Sequence, residues 1–324
     1  MKNAMAGRPR PRIAIWNSPR AGGPLRWSRD LQSQINASGQ YEANLVTNPL
    51  SLAVGHILPQ AELIHAAVPV TYRFWRRPLV LTVKGDYTIE KNIWRSLYPR
   101  AIRMADIVTV PSQYLKERIP ELAKATVIPN AVDLEQFTVS DTPTHNPFKI
   151  LVVTNFWFPE KARGVEQLLA LIKQALSKGV TTNCEVTIVG DGAWLEKVKQ
   201  QARQYTFKIT FAGWSDPRTF FPTTNLFLYY SYHDNMPNAV LEAMAAGLPV
   251  LTNRVGAIDE MITSGVDGII VDTPERYQRA LVNLLSDSAL RRSIGRAART
   301  TIEQRFSWST VVQRYLAIYR KLLL

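Results

Sequence analysis

Short apolar runs rich in β-branched residues alternate with longer amphipathic stretches from one end of this chain to the other. Strands separated by helix-sized segments cannot close into hairpins. They require crossover connections and therefore parallel sheets. In the first half the runs expected as strands cover 12–16, 43–47, 62–66, 79–83, 106–110 and 126–128. In the second half they cover 148–153, 185–189, 208–211, 226–230, 249–252 and 269–271. Helices are expected over 165–177, 194–204, 238–246, 258–264 and 276–285, and two more, around 289–304 and 309–323, close the chain. Several strand runs are apolar without alternation, as in a sheet covered by helices on both faces.

At 324 residues the chain suits two domains. The segment Asp141-Thr142-Pro143-Thr144-His145-Asn146-Pro147 is polar, carries two prolines and gives way to a new strand. The expected division is an N-terminal Rossmann-like domain (1–145), a C-terminal Rossmann-like domain (146–307), and a last helix (308–324) packing back toward the first domain. The fold class expected is α/β, two Rossmann-like parallel-sheet domains facing each other across a cleft. Ligands in such folds collect at the carboxyl ends of the strands.

The balance of 39 Lys+Arg against 26 Asp+Glu gives +13, which raises nucleic acid and anionic membranes as partners. The excess is spread over both halves, 18 against 11 in residues 1–145 and 21 against 15 thereafter, which speaks against a dedicated nucleic-acid domain. Its local form points elsewhere. Arg73, Trp75, Arg76 and Arg77 interleave cations with aromatics, and Lys91, Arg95 and Arg103 lie on an expected amphipathic helix. That pattern suits an anionic headgroup surface; a solvated face over a packed core accounts for it equally well. No run approaches the ~20 apolar residues of a membrane span. The N-terminal cations are followed by no apolar core, so no secretory signal is expected. The lone Cys184 fits a reducing compartment, and the expected location is cytoplasmic, peripheral on the inner membrane face.

The densest constellation runs from Asp234 to Val250. An apolar strand ends near Tyr230, a loop carries Asp234, Asn235 and Met236, and Pro237 and Asn238 open a helix that holds Glu242. Two carboxylates beside free helix amides suit a polyol attached to a diphosphate. An acidic cap and a surface glutamate is the plainer alternative.

This segment resembles the acidic signature of the retaining glycosyltransferases of family 4, which have the GT-B fold. The likeness extends over nearly the whole chain, through 105–112, 127–133, 189–192, 211–214, 255–260 and 265–268. The resemblance implies that Glu242 grips the ribose of a nucleotide and that Asp234 contacts the transferred sugar, beside the amides of Asn235 to Asn238. It implies that Gly22 and Gly23 let backbone approach the diphosphate, that Lys161 and Arg163 supply cations to it, and that Gly190, Gly213 and Trp214 lie along the donor pocket. Three departures stand out. Asn155 occupies a position where the family often has arginine, Lys84 one where histidine is common, and Asp234 one where glutamate is usual. The catalytic set expected is Asp234, Lys161 and Lys84.

No Asp-x-Asp occurs and no His/Cys cluster has ligand spacing, so no metal and no cofactor are expected; His65 and His233 read as packed or loop residues. The expected partners are a nucleotide sugar, UDP- or GDP-linked, and a glycan or lipid-linked acceptor of the cell envelope. Two other readings stay open: a DNA-glycosylating enzyme of the same architecture, and a binding-only relative.

Overall fold

All twelve apolar runs form parallel strands in the computed structural model, which describes residues 9–18, 23–47, 60–70, 77–89, 93–139, 147–179 and 183–324. The chain divides into two compact units, residues 1–129 with 308–324 and residues 130–307. The division falls earlier than the proline-rich segment at 141–147. Residues from 130 onward are tied to the second unit: Val132 N donates to Phe306 O at 2.8 Å, and Asn130 Nδ2 donates to Met236 O at 3.2 Å. Polar composition marks a connection, but backbone hydrogen bonds decide which body it joins.

In the first unit the strands are β1 (Arg12–Trp16), β2 (Glu42–Val46), β3 (Leu63–Ala66), β4 (Leu79–Thr82), β5 (Ile107–Val110) and β6 (Thr126–Val127), in the order β2-β1-β3-β4-β5-β6. β3 and β4 are buried at every position, which is why they read as continuous apolar runs. The helix Gly23–Ala37 faces the sheet with Leu25, Trp27, Leu31 and Ile35. The helix Trp94–Met104 buries Tyr98, Ala101 and Ile102 and leaves Arg95, Arg100 and Arg103 exposed. The last helix, Trp308–Leu323, belongs to this unit, and its Tyr319 hydroxyl lies 2.6 Å from His65 Nδ1. The other ring nitrogen of His65 lies 2.7 Å from Thr82 Oγ1, which lies 2.7 Å from Thr109 Oγ1. His65 is thus a packed residue, as expected.

In the second unit the strands are β7 (Phe148–Val153), β8 (Cys184–Val189), β9 (Lys208–Gly213), β10 (Leu226–Tyr229), β11 (Val250–Asn253) and β12 (Ile269–Val271). Their order, β12-β11-β10-β7-β8-β9, is that of a Rossmann sheet. The helix after β7 starts at Pro159, earlier than the apolar period predicts. Pro159 at its first position needs no amide partner, and Glu160 suits the positive end of the dipole. Helices Pro274–Ser286 and Ser288–Thr301 are each capped by a side chain, Thr273 and Asp287. The core is mostly aliphatic, built around Leu168, Ile172, Val186, Ile188, Leu226, Leu228 and Leu281, with Phe156 and Tyr277 fully buried among them.

Candidate functional site

A ligand crevice in such a sheet lies where the strand order reverses. In the second unit the chain leaves β7 toward β8 and β9 on one side, and β10 leads to β11 and β12 on the other. β7 and β10 are neighbours, Ile150 opposite Leu226 and Leu151 opposite Phe227. The loops leaving their carboxyl ends are therefore the ones topology assigns to a ligand. The loop and helix after β7 carry Asn155, Lys161 and Arg163; the loop after β10 carries Asp234 to Pro237.

The β10 loop is held from several sides. Asn253, at the end of β11, accepts from Ser231 N at 3.0 Å and donates to Ser231 O at 2.8 Å. The turn after β11 comes close enough that a Cβ on Gly256 would sit 2.3 Å from Asn235 O; that residue's φ of +56° also favours glycine. Ala257 N donates to Asn235 O at 2.7 Å. On the other side the helix Pro159–Leu176 approaches so closely that a Cβ on Gly164 would lie 2.1 Å from Tyr230 O. A loop fixed in this way presents its side chains with little reorganisation.

Lys161 and Asp234 meet within this frame. Lys161 Nζ donates to Asp234 Oδ2 at 2.7 Å, with side chains 13% and 15% exposed. The Tyr229 hydroxyl donates to the same oxygen, and Asn235 N donates to Oδ1 at 2.8 Å. Burial pushes the Asp234 carboxyl up, but the Lys161 ammonium, the phenol and the amide outweigh it and hold the group below its ordinary range. The result is an ionised carboxylate and a cation side by side where the strand order reverses. The pair can accept from hydroxyls and donate to an anion.

Glu242 lies in the helix Asn238–Ala245, where every residue from Val240 to Ala245 is buried; Glu242 itself is 7% exposed. The plainer reading of Glu242 as a surface residue is thereby overturned. Six consecutive buried residues mean the helix is covered all round, which sequence period could not fix. The Arg163 guanidinium stacks 4.9 Å from the centre of the Tyr232 ring. Asn155 Oδ1 accepts from Trp157 N at 3.4 Å. Gly190 and Gly213 meet at the ends of β8 and β9, Gly190 N donating to Gly213 O at 2.8 Å. Trp214, next in the chain, is 81% exposed.

Lys84 belongs to the first unit, past the end of β4, with its ammonium 4.4 Å over the Trp27 ring. Burial pushes it down to about 7. Gly23 is the first residue of a helix, at its N-terminal end and not in a free loop. Gly22, Arg73, Trp75, Arg76 and Lys91 lie outside the described residues. Among the described residues no group of three His, Cys, Asp or Glu side chains is arranged to hold a metal ion, and no helix is long and apolar enough to cross a membrane. Tyr229 escaped the sequence reading, which took it as one more residue of an apolar strand. A phenol in a strand otherwise made of leucine and phenylalanine was the available signal.

Two family models match in tandem: Glycosyltransferase Family 4 over residues 6–136 and Glycosyl transferases group 1 over residues 147–287. The chain belongs to the group 1 glycosyltransferases. Among relatives of the family, it is 28% identical over 257 residues to the N-acetyl-alpha-D-glucosaminyl L-malate synthase of Bacillus anthracis, covering 74% of this chain and 65% of that protein. It is 24% identical over 315 residues to the lipopolysaccharide core biosynthesis glycosyltransferase LpsE of Rhizobium meliloti, covering 90% and 86%. Several curated relatives are matched over only 62–65% of their length. The fold is shared with the Anabaena HepE protein solved in complex with UDP, with a TM-score of 0.75, 17% identity, and 96% of this chain and all of that one covered. The GT-B fold follows from these structures and from the two six-stranded sheets.

Proposed function

We propose that this protein transfers a sugar from a nucleoside-diphosphate sugar to a hydroxyl of a cell-envelope glycan or lipid-linked glycan, with retention of configuration and without a metal ion. The observation that carries the reading is the Lys161–Asp234 pair at the reversal point of the second sheet, with Asp234 on the loop that leads into the helix of the buried Glu242. Lys161 and Arg163 would neutralise the departing diphosphate, Asp234 would accept from the sugar, and Glu242 from the ribose. Gly190, Gly213 and Trp214 would border the base. Preorganised cations and amides stabilise leaving-group charge as a metal does elsewhere. The envelope acceptor is supported by the Rhizobium meliloti relative, whose name places it in lipopolysaccharide core synthesis. In the first unit, the exposed Arg95, Arg100 and Arg103 with Ile93, 69% exposed, support an anionic membrane surface as the place of work, on its cytoplasmic side.

Glu242→Gln keeps a hydrogen-bonding group and removes the charge-assisted acceptor. Its affinity for UDP or GDP in calorimetry is expected to fall by about 1–3 kcal/mol. Unchanged dissociation constants for both nucleotides would refute the ribose role.

A further inference from the structure

Tyr229 is out of character with its strand. β10 reads Leu226-Phe227-Leu228-Tyr229, lies between β7 and β11, and buries all four side chains. A buried phenol needs a hydrogen-bond partner, and this one has Asp234 Oδ2, the oxygen that also accepts from Lys161. Burial, then the neighbouring carboxylate, pushes the phenol well above its ordinary value, so it keeps its proton and remains a donor.

The two partners of that oxygen differ in mobility. Lys161 reaches it on a flexible four-carbon stem from the first turn of a helix, whereas Tyr229 is fixed in the middle of a sheet. If Lys161 serves a donor diphosphate, the phosphate competes with Asp234 for its ammonium when the donor arrives. A carboxylate only 15% exposed then loses much of its counter-charge. Left without compensation it would take up a proton and weaken as an acceptor.

We propose that Tyr229 is a positioning residue for Asp234, holding the carboxylate in place and ionised while Lys161 turns to the diphosphate of an incoming donor. The proposal rests on the donor-facing reading of Lys161 and Asp234 given above. The phenol and the Asn235 amide are fixed dipoles aimed at the two carboxylate oxygens, so they act without reorganising. Charged or titratable groups on the surrounding elements include Glu160, Arg163, Tyr232, His233, Glu242 and Arg254. Arg163 lies over Tyr232, and Arg254 is engaged by Asp259 and Asp272.

The test follows the Asp234 carboxyl by NMR in protein labelled with carboxyl-13C aspartate, its signal assigned by loss in Asp234→Asn. Lys161→Met imitates the departed lysine. In that variant Asp234 is expected to stay ionised at neutral pH, and adding Tyr229→Phe is expected to raise its midpoint by about 1–2 pH units. Equal midpoints with and without Tyr229→Phe would overturn the proposal. Should the double variant not fold, native protein and Tyr229→Phe are titrated with saturating inorganic pyrophosphate as the occupant of Lys161. The shift is expected in Tyr229→Phe alone, and its absence counts against the proposal. Calorimetry with UDP and GDP on Lys161→Ala separates the two ideas. Unchanged nucleotide affinity there, with the Asp234 shift present, would leave the coupling standing and remove its donor role.

Discussion

At the carboxyl edge of the second sheet, Lys161 and Asp234 pair with each other while keeping 13% and 15% of their surface in solvent. At the corresponding edge of the first sheet, His65, Thr82 and Thr109 bond inward to one another and to Tyr319, with exposures of 0–1%. Both edges come from parallel strands of similar length, yet one places its polar groups in a partly exposed ion pair and the other in internal cohesion. The difference follows from the elements that cover each edge. The last helix of the chain delivers Tyr315 and Tyr319 into the first unit's core, so polar residues on β3, β4 and β5 find partners inside. In the second unit a glycine-fitted loop is clamped over the strand ends, and its charged side chain remains partly exposed.

The largest effect should come from breaking the pair. Lys161→Ala leaves a mostly buried carboxylate without its cation and is expected to lower stability by about 3 kcal/mol. It is also expected to cut turnover about 100-fold or more, whatever the magnesium concentration. Activity abolished by EDTA and restored by a divalent ion would show that the diphosphate charge is handled otherwise.

Acid should separate the units next. Burial, then the Lys84 ammonium, pushes His65 down to about 3 from an ordinary 6.5. Between those values the unfolded chain binds a proton that the folded chain refuses, so stability falls as pH drops through that window. Lys84, pushed down to about 7, has the same sign: its penalty is present in full below pH 7 and relieved as pH rises toward 10.5. Asp234, held below its ordinary 3.8, keeps its contribution until pH falls into the carboxylate range. Protection factors for hydrogen exchange are therefore expected to fall at pH 5 in β3 and β4 before β7 and β10, and His65→Gln to shrink that gap. Equal loss of protection in both sheets would remove the contrast.

Glycines sharpen the comparison further. Gly164→Ala would drive its Cβ into Tyr230 O and is expected to cost about 2–4 kcal/mol in urea unfolding. Gly85→Ala, with no atom within 4 Å of the new Cβ, should change stability by no more than about 0.5 kcal/mol. Similar losses at the two sites would mean that the second unit's loop is not held by close approach.

The smallest effect belongs to the first unit's surface. Each of Arg95, Arg100 and Arg103 should contribute about 1 kcal/mol to binding phosphatidylglycerol vesicles. Replacing all three by serine is expected to abolish salt-sensitive co-sedimentation without altering the melting temperature. Equal sedimentation with neutral and anionic vesicles would make these arginines a solvated face.

Twelve strands and the parallel class were legible in the chain, because a strand covered by helices on both faces must be apolar throughout, and such runs stand out against amphipathic neighbours. The order of acidic residue, turn, helix and glycine around Asp234 and Glu242 was legible too, since cap and breaker residues act locally. Tertiary structure alone decided the rest. It assigned residues 130–139 to the second unit through hydrogen bonds between residues far apart in the chain. It placed Tyr229 under Asp234, a pairing that depends on which way a strand residue points and on how the following loop turns back. It also joined His65 to Tyr319, 254 positions apart. Periodicity reports which face of an element is covered but not what covers it, and the chemistry of this site depends on the latter.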